Sequence, residues 1–361
     1  MSTRCIALLG CKDEPTDALE EYSRYLAAAL EVHDIQLEIR RVPWEIHGWT
    51  EALHALRIQA FRWRDTWVLL QYTALAWSPR GFPRKVLPAL KILKSAGARV
   101  GIVFHDVEPY PGTRLIDAIR RFAQVRTMRR ALALADLAVF TVPPERLSWL
   151  PAVPPNATFI PVGPNLPIPV ARTAFTNQNP VPTIGVFSIT GGESGVRETK
   201  IILASVRHAT QKLGKIRLSI FGRHAEDREN ELREGLRDVP VELSVEGVVE
   251  SAEVVQRLSR CDVLLFVRGP ISSRRSSGIA GIACGLPVIA YPGSETAPPI
   301  TDAGVVLVSA DRPNELSAAI VRVLSDADYR MELAALSRAA YQSHFAWHVI
   351  ATRFSALLTT R

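Results

Sequence analysis

The chain has 361 residues, 47% hydrophobic and 22% charged, a globular composition that excludes disordered and fibrous classes and, at about 150 residues per domain, sets an expectation of two domains. Its 43 Lys plus Arg against 36 Asp plus Glu leave a formal charge of +7, which favours an anionic partner: a phosphorylated small molecule, a membrane surface or a nucleic acid. No apolar run reaches the roughly 18 to 20 residues that span a bilayer, and the apolar stretch Cys5 to Cys11 runs at once into Lys12, Asp13 and Glu14, unlike a secretory signal. A membrane-spanning protein is therefore excluded and a cytoplasmic one expected.

From the start, short aliphatic runs alternate with segments of helical period, the pattern of a parallel sheet with crossover helices. Strands are predicted at Ile6–Gly10, Trp67–Tyr72, Arg99–Phe104, Leu137–Thr141 and Thr158–Val162. Helices are predicted at Thr16–Leu30, Arg84–Lys94 and Arg114–Leu134. Between Gly163 and Thr183 the composition shifts to Pro, Asn, Thr and Gln without periodicity, which marks a linker. A second series follows, with strands at Ile184–Ser188, Ile216–Phe221, Val241–Val245, Asp262–Val267, Pro287–Ala290 and Val305–Val308. Its helices are predicted at Arg197–Lys212, Ala252–Leu258 and Ser277–Cys284, and three more near Asn314–Leu324, Tyr329–Tyr341 and Trp347–Leu358 end the chain. The expected fold class is α/β, with two Rossmann-like doubly wound parallel sheets facing a cleft. The expected boundaries are 1–165, a linker at 166–182, a second domain at 183–344 and a closing helix at 345–361.

In open parallel sheets ligands bind beyond the carboxyl ends of strands. The loop from Arg268 to Gly293 reads RGPISSRRSSGIAGIACGLPVIAYPG. Ser272, Arg274, Arg275 and Ser276 lead directly into a helix of small residues, which sets hydroxyls, guanidiniums and backbone N–H groups at a positive helix end suited to a diphosphate. An N-cap with solvated arginines is the competing reading. Gly191 and Gly192 join a strand to a helix and offer backbone to a phosphate, or simply a tight turn. Arg126, Arg129 and Arg130 share one helical face, apart from Val125, Met128 and Leu132, with Arg114, Arg120 and Arg121 nearby. Such a face fits anionic lipid or plain solvent. The arginines have no interleaved aromatic platform, which argues against nucleic acid. Asp326-Ala327-Asp328 forms a D-x-D, but between predicted helices, where an N-cap is the natural role. There is no G-x-G-x-x-G, Walker sequence or H-E-x-x-H, and Cys5, Cys11, Cys261 and Cys284 lack metal or disulfide spacing.

GIACGLPVIAYPG (Gly281 to Gly293) resembles the C-terminal signature of nucleotide-sugar glycosyltransferases of the two-domain GT-B fold, in particular the bacterial family-four-like, group 1 type. RCDVLLFV before it, VELSVEGVV around Gly247, Gly222-Arg223 after IRLSIF, FIPVGPN (Phe159 to Asn165) and FAWHVIATRFSALL (Phe345 to Leu358) are similar to further segments of that family, in the same order, and the last resembles the family's helix that crosses back to the N-terminal domain, which implies that role for residues 345–361. The family's E-x7-E pair falls on Ser272 and Ala280, so both glutamates are missing, and SSRRS (Ser272 to Ser276) is similar to a Ser- and Arg-rich variant. The stretch Leu69 to Asp106 resembles the acceptor-domain segment that ends in His-Asp. The resemblance implies a transferase that moves a sugar from a nucleotide diphosphate donor to a glycan, lipid-linked or small-molecule acceptor, with retention and with no metal or other cofactor. It places His105 at the catalytic site with Asp106 as its orienting neighbour. Gly191, Gly192, Arg223, Gly247, Ser272, Arg274, Arg275 and Ser276 would hold the donor. Peripheral contact with an anionic membrane is compatible with it. A non-catalytic nucleotide-sugar-binding subunit and an epimerase or phosphorylase on the same fold are the alternatives.

Overall fold

The computed structural model describes residues 3–169 and 181–359, and the chain divides into two compact units, residues 1–162 with 347–361, and residues 163–346. Of the linker expected at 166–182, residues 170–180 lie outside the described residues.

The first unit runs β1 (Thr3–Leu9), α1 (Ala18–Leu30), β2 (Ile35–Arg41), α2 (Trp44–Ala60), β3 (Trp67–Tyr72), α3 (Val86–Ser95), β4 (Arg99–Phe104), α4 (Leu115–Leu134), β5 (Leu137–Phe140) and β6 (Ala157–Phe159). All six strands pair in parallel, in the order β2-β1-β3-β4-β5-β6. Every residue of β3 is buried, as expected of a central strand covered on both faces. Alternate side chains point to opposite faces. Val68, Leu70 and Tyr72 pack with Ala52, Leu56, Leu90, Leu93, Met128 and Ala131 of α2, α3 and α4. Helix α1 begins where Asp17 accepts the N–H groups of Leu19 (3.0 Å) and Glu20 (3.1 Å), and Arg41 of β2 closes on Asp17 and Glu20 at 2.6 Å each. No expectation covered β2 and α2. In β2 the sheet edge leaves Gln36 and Arg40 exposed, and in α2 Gly48, at φ +74°, interrupts the helix.

The second unit runs β7 (Thr183–Phe187), α5 (Gly192–Leu213), β8 (Ile216–Phe221), α6 (Glu229–Gly235), β9 (Val241–Glu246), α7 (Ser251–Ser259), β10 (Val263–Pro270), α8 (Ser276–Ala283), β11 (Val288–Tyr291), β12 (Val305–Leu307), α9 (Pro313–Ser325) and α10 (Ala327–Ala340). Helix α11 (Trp347–Thr359) belongs to the first unit, where Leu358 O accepts the indole N–H of Trp67 at 3.0 Å. The second sheet is also parallel, ordered β12-β11-β10-β7-β8-β9. Ile202, Val206 and Ala209 of α5 and Leu316, Ile320 and Val323 of α9 cover one face. Helix α8 is buried throughout from Gly278 to Ala283, and a Cβ at Gly281 would come within 2.5 Å of Leu264, so glycine sets how closely α8 lies on β10. Asp326 caps α10 by accepting Tyr329 N–H at 3.0 Å, the role expected of the D-x-D. Among the described residues no helix is long and apolar enough to cross a membrane.

Candidate functional site

In the second sheet the chain builds outward from β7 to β8 and β9, then returns to place β10 on the other side of β7. That reversal makes the carboxyl ends of β7 and β10 a topological switch point, where loops diverge and leave a crevice. The predicted donor residues Gly191, Gly192 and Arg223 lie around it.

Helix α5 starts at Gly192, five residues before the expected Arg197, with Gly191 at the N-cap. The paired glycines therefore form the helix N-terminus itself, where backbone N–H groups lack intrahelical partners. Gly192 has φ +65° and open space where a Cβ would stand. Arg197 and Lys200 are exposed on the helix. The loop after β8 is laced to the one after β7: Ser188 N donates to Phe221 O (2.7 Å) and Ile189 N to Arg223 O (2.9 Å). Gly222 (φ +99°) has no room for a side chain, since its Cβ would stand 2.5 Å from Ser188 Oγ. Gly222 N donates to Gly247 O at 2.8 Å, which ties in the loop after β9. His224 lies against Gly191 and pairs with Asp227 at 2.8 Å, and Arg228 reaches Gly192 O at 3.1 Å.

Arg268 at the end of β10 carries no expectation from the sequence beyond opening the loop. The pairing of β10 with β11 shifts between Phe266 and Pro270, and Gly269 takes φ +80°. Such a bulge re-aims side chains at a strand end. Arg268 is partly buried, its Nε is sealed from solvent without a hydrogen-bond partner, and among the described residues no carboxylate lies within 4.0 Å of it. Burial pushes its pKa down, Arg223 adds to that push, and the charge of Glu198 opposes without cancelling it. Glu198 itself is buried and accepts Thr190 N at 2.8 Å. The switch point therefore holds a guanidinium whose charge the fold leaves under-compensated.

The loop after β10 is built differently from the expectation. Glu295, on the loop after β11, takes Arg274 as a fork, Nε at 2.6 Å and Nη2 at 2.9 Å, and accepts the Ser272 hydroxyl at 3.0 Å. Burial opposes its ionisation, but Arg274, then Ser272 and the nearby charge of Arg275, hold its carboxyl below the ordinary range. Ser272 is fully buried. Arg274 and Ser272 thus meet a carboxylate of the protein, which orders the loop. Arg275 takes the N-cap position of α8 and Ser276 opens the helix. Ala280, the other position of the missing glutamate pair, is buried inside α8.

In the first unit His105 directly follows β4, with its N–H on Tyr72 O (3.0 Å). Its Nε2 lies 2.8 Å from Gln71 Oε1. Because the Gln71 amide donates to Leu69 O (3.3 Å), the oxygen is turned to the ring and Nε2 carries the hydrogen. Tyr22 packs edge-on at 4.8 Å. The Asp106 carboxylate accepts Ala74 N–H (2.8 Å) and Tyr110 O–H (2.7 Å), so it fastens the loop after β3, while Gln71 is the buried group that meets the imidazole. Burial and the Asp106 charge push the Tyr110 phenol up, which keeps it a donor.

No family model matches this chain, and no curated protein does. Solved structures match its fold along nearly its full length. HepE of Anabaena in complex with UDP and glucose is 16% identical, with 99% of each chain covered and a TM-score of 0.65. A glycosyltransferase from Rickettsia africae is 12% identical, covering 99% of this chain and 98% of its own, with a TM-score of 0.67. Sucrose-phosphate synthase of Thermosynechococcus elongatus is 16% identical, with 98% of each chain covered and a TM-score of 0.67. At these identities the likeness is one of fold: two Rossmann-like parallel-sheet units in one chain, the GT-B arrangement.

Proposed function

We propose that the protein is a glycosyltransferase that moves a sugar from a nucleotide diphosphate donor to a hydroxyl of a glycan, lipid-linked or small-molecule acceptor. The observation that carries this reading is Arg268, an under-compensated guanidinium at the switch point of the second sheet, beside the sheet's glycine-opened helix. A diphosphate supplies the negative charge and the acceptor oxygens that such a group lacks. In this reading it lies against Gly191 and Gly192, with Arg223, Arg268 and Arg275 as its cations and Gly247 near the base. Arg274 and Ser272, locked on Glu295, hold the Arg275–Ser276 corner in place. As the bond from the anomeric carbon to the diphosphate oxygen lengthens, negative charge grows on that oxygen, and fixed cations stabilise it more than they stabilise the ground state. The guanidiniums fill the role a divalent cation has in other transferases, so metal independence belongs to the proposal, as does retention at the anomeric carbon. His105 is its catalytic candidate, oriented by Gln71. The fold match to HepE, whose structure holds UDP and glucose, supports it.

Thermal shift against UDP-, GDP- and dTDP-linked sugars tests donor binding, since a ligand at 100 times its Kd stabilises by about 2.7 kcal/mol. Release of the nucleotide diphosphate with an acceptor present, undiminished by a chelator, tests turnover. His105→Ala is expected to keep donor affinity and lose about a hundredfold or more in kcat. Absence of binding to every donor sinks the proposal. Binding with no release in any acceptor makes the chain a non-catalytic partner subunit, and release without an acceptor or in response to phosphate makes it an epimerase or phosphorylase.

A further inference from the structure

The first two turns of α4 expose an apolar face. Leu115 is 80% exposed, Phe122 68%, Ile116 50% and Ile119 47%. At 3.6 residues per turn Leu115, Ile119 and Phe122 fall within about 60° of arc, with Ile116 about 60° beyond its edge. Arg126 and Arg130 continue the same stripe one and two turns further on, both exposed and, among the described residues, without a carboxylate in ion-pair reach. Arg114 and Arg121 are exposed beside the apolar turns. Residues 114–130 hold six arginines and one acid, Asp117, and Asp117 is taken by Arg120. Behind the stripe Met128 and Ala131 are buried in the unit's core, so the helix is anchored with this face outward. Its N-terminal end follows the loop after β4, at the end of the sheet that carries His105.

We infer that this face of α4 docks on an anionic lipid bilayer, the Leu115–Phe122 turns entering the acyl boundary and the Arg126–Arg130 turns resting on the headgroups. An apolar tip followed by cations along one helical stripe matches the two layers a bilayer presents, hydrocarbon and then negative charge. A second copy of the chain fits poorly. A two-fold contact would bring together two arginine-rich helices whose one acid, Asp117, is already paired, so neither supplies a counter-charge to the other. The docking does not rest on the donor reading, because every residue involved lies in the first unit, outside the nucleotide-binding residues.

The test is sedimentation of the full chain, without nucleotide, with vesicles of equal parts phosphatidylglycerol and phosphatidylcholine, against pure phosphatidylcholine. The expected result is binding to the anionic vesicles alone, weakened by salt. Paired Arg126→Ala and Arg130→Ala changes reduce partitioning about thirtyfold, from about fivefold per basic residue near such a surface. Phe122→Ser reduces it about tenfold. All three side chains are exposed, so thermal unfolding stays that of the native chain. Equal binding to both vesicle types, or patch variants that bind like the native chain, overturns the inference. So does a dimer in sedimentation velocity that Phe122→Ser dissociates while the native chain ignores vesicles.

Discussion

Replacing Arg268 by Met should move stability and ligand affinity in opposite directions. The guanidinium sits in the fold with its Nε sealed and unpartnered, repelled by Arg223 and only partly relieved by Glu198. Its lowered pKa means that the charged form is less favourable in the folded chain than in water. Met keeps most of the length and removes the charge, as when apolar isosteres replace buried ionic groups. The gain is about 1 kcal/mol, tempered by the attraction lost at Glu198, and corresponds to about 2 to 4 °C in Tm for a unit of this size. Donor binding should fall in the same variant. A hydrogen bond from a charged group contributes about 1.5 to 3 kcal/mol, which is roughly a tenfold to 150-fold weaker Kd for the nucleotide sugar. Calorimetry of the ligand-free protein measures the first effect, in the transition that nucleotide shifts, and titration calorimetry with the donor measures the second. A lower Tm with unchanged donor affinity would show that Arg268 is a structural residue and would refute the argument.

Two further outcomes follow from named contacts. Glu295→Gln leaves Arg274 without its counter-charge and should cost about 2 kcal/mol in urea unfolding at neutral pH. Because the carboxyl is held below its ordinary value of 4.5, its contribution is complete above that value and is lost as pH falls through the lowered folded pKa; the native chain should therefore lose more stability on acidification than the variant, and parallel curves would count against the Arg274 pairing. Gln71→Leu removes the acceptor of His105 Nε2, so kcat should fall about tenfold with its pH profile shifted and donor Kd unchanged; a silent variant would show that Gln71 does not position the ring.

The parallel strands are legible because burial leaves its period in the chain, a nearly continuous apolar run where both faces are covered and alternation where one face is less so. WVLLQY and IRLSIF were delimited to the residue, at Trp67–Tyr72 and Ile216–Phe221. Helix starts were less so. Periodicity in α5 emerges only once side chains meet the core, as at Ile202 and Val206, and its first turn, Gly192 to Gly195, carries almost no apolar signal, so the expected start fell at Arg197. The edge strand β2 has one weakly buried face, and α2 is broken at Gly48, and both escaped a reading that depends on period.

By itself the sequence determined two parallel α/β series, the glycine pair between strand and helix, the serine and arginine loop and the cationic stretch of α4, because these are local patterns of burial and charge. Only the tertiary structure decided which charges are spent and which are left over. Glu295 lies 21 residues beyond Arg274 in the chain yet neutralises it, whereas Arg268, one more arginine after an apolar strand in the sequence, is turned by a bulge into a place where, among the described residues, no carboxylate pairs with it and only the more distant charge of Glu198 offsets it. Charge balance in a folded chain depends on distance and burial, and neither is a property of sequence neighbours.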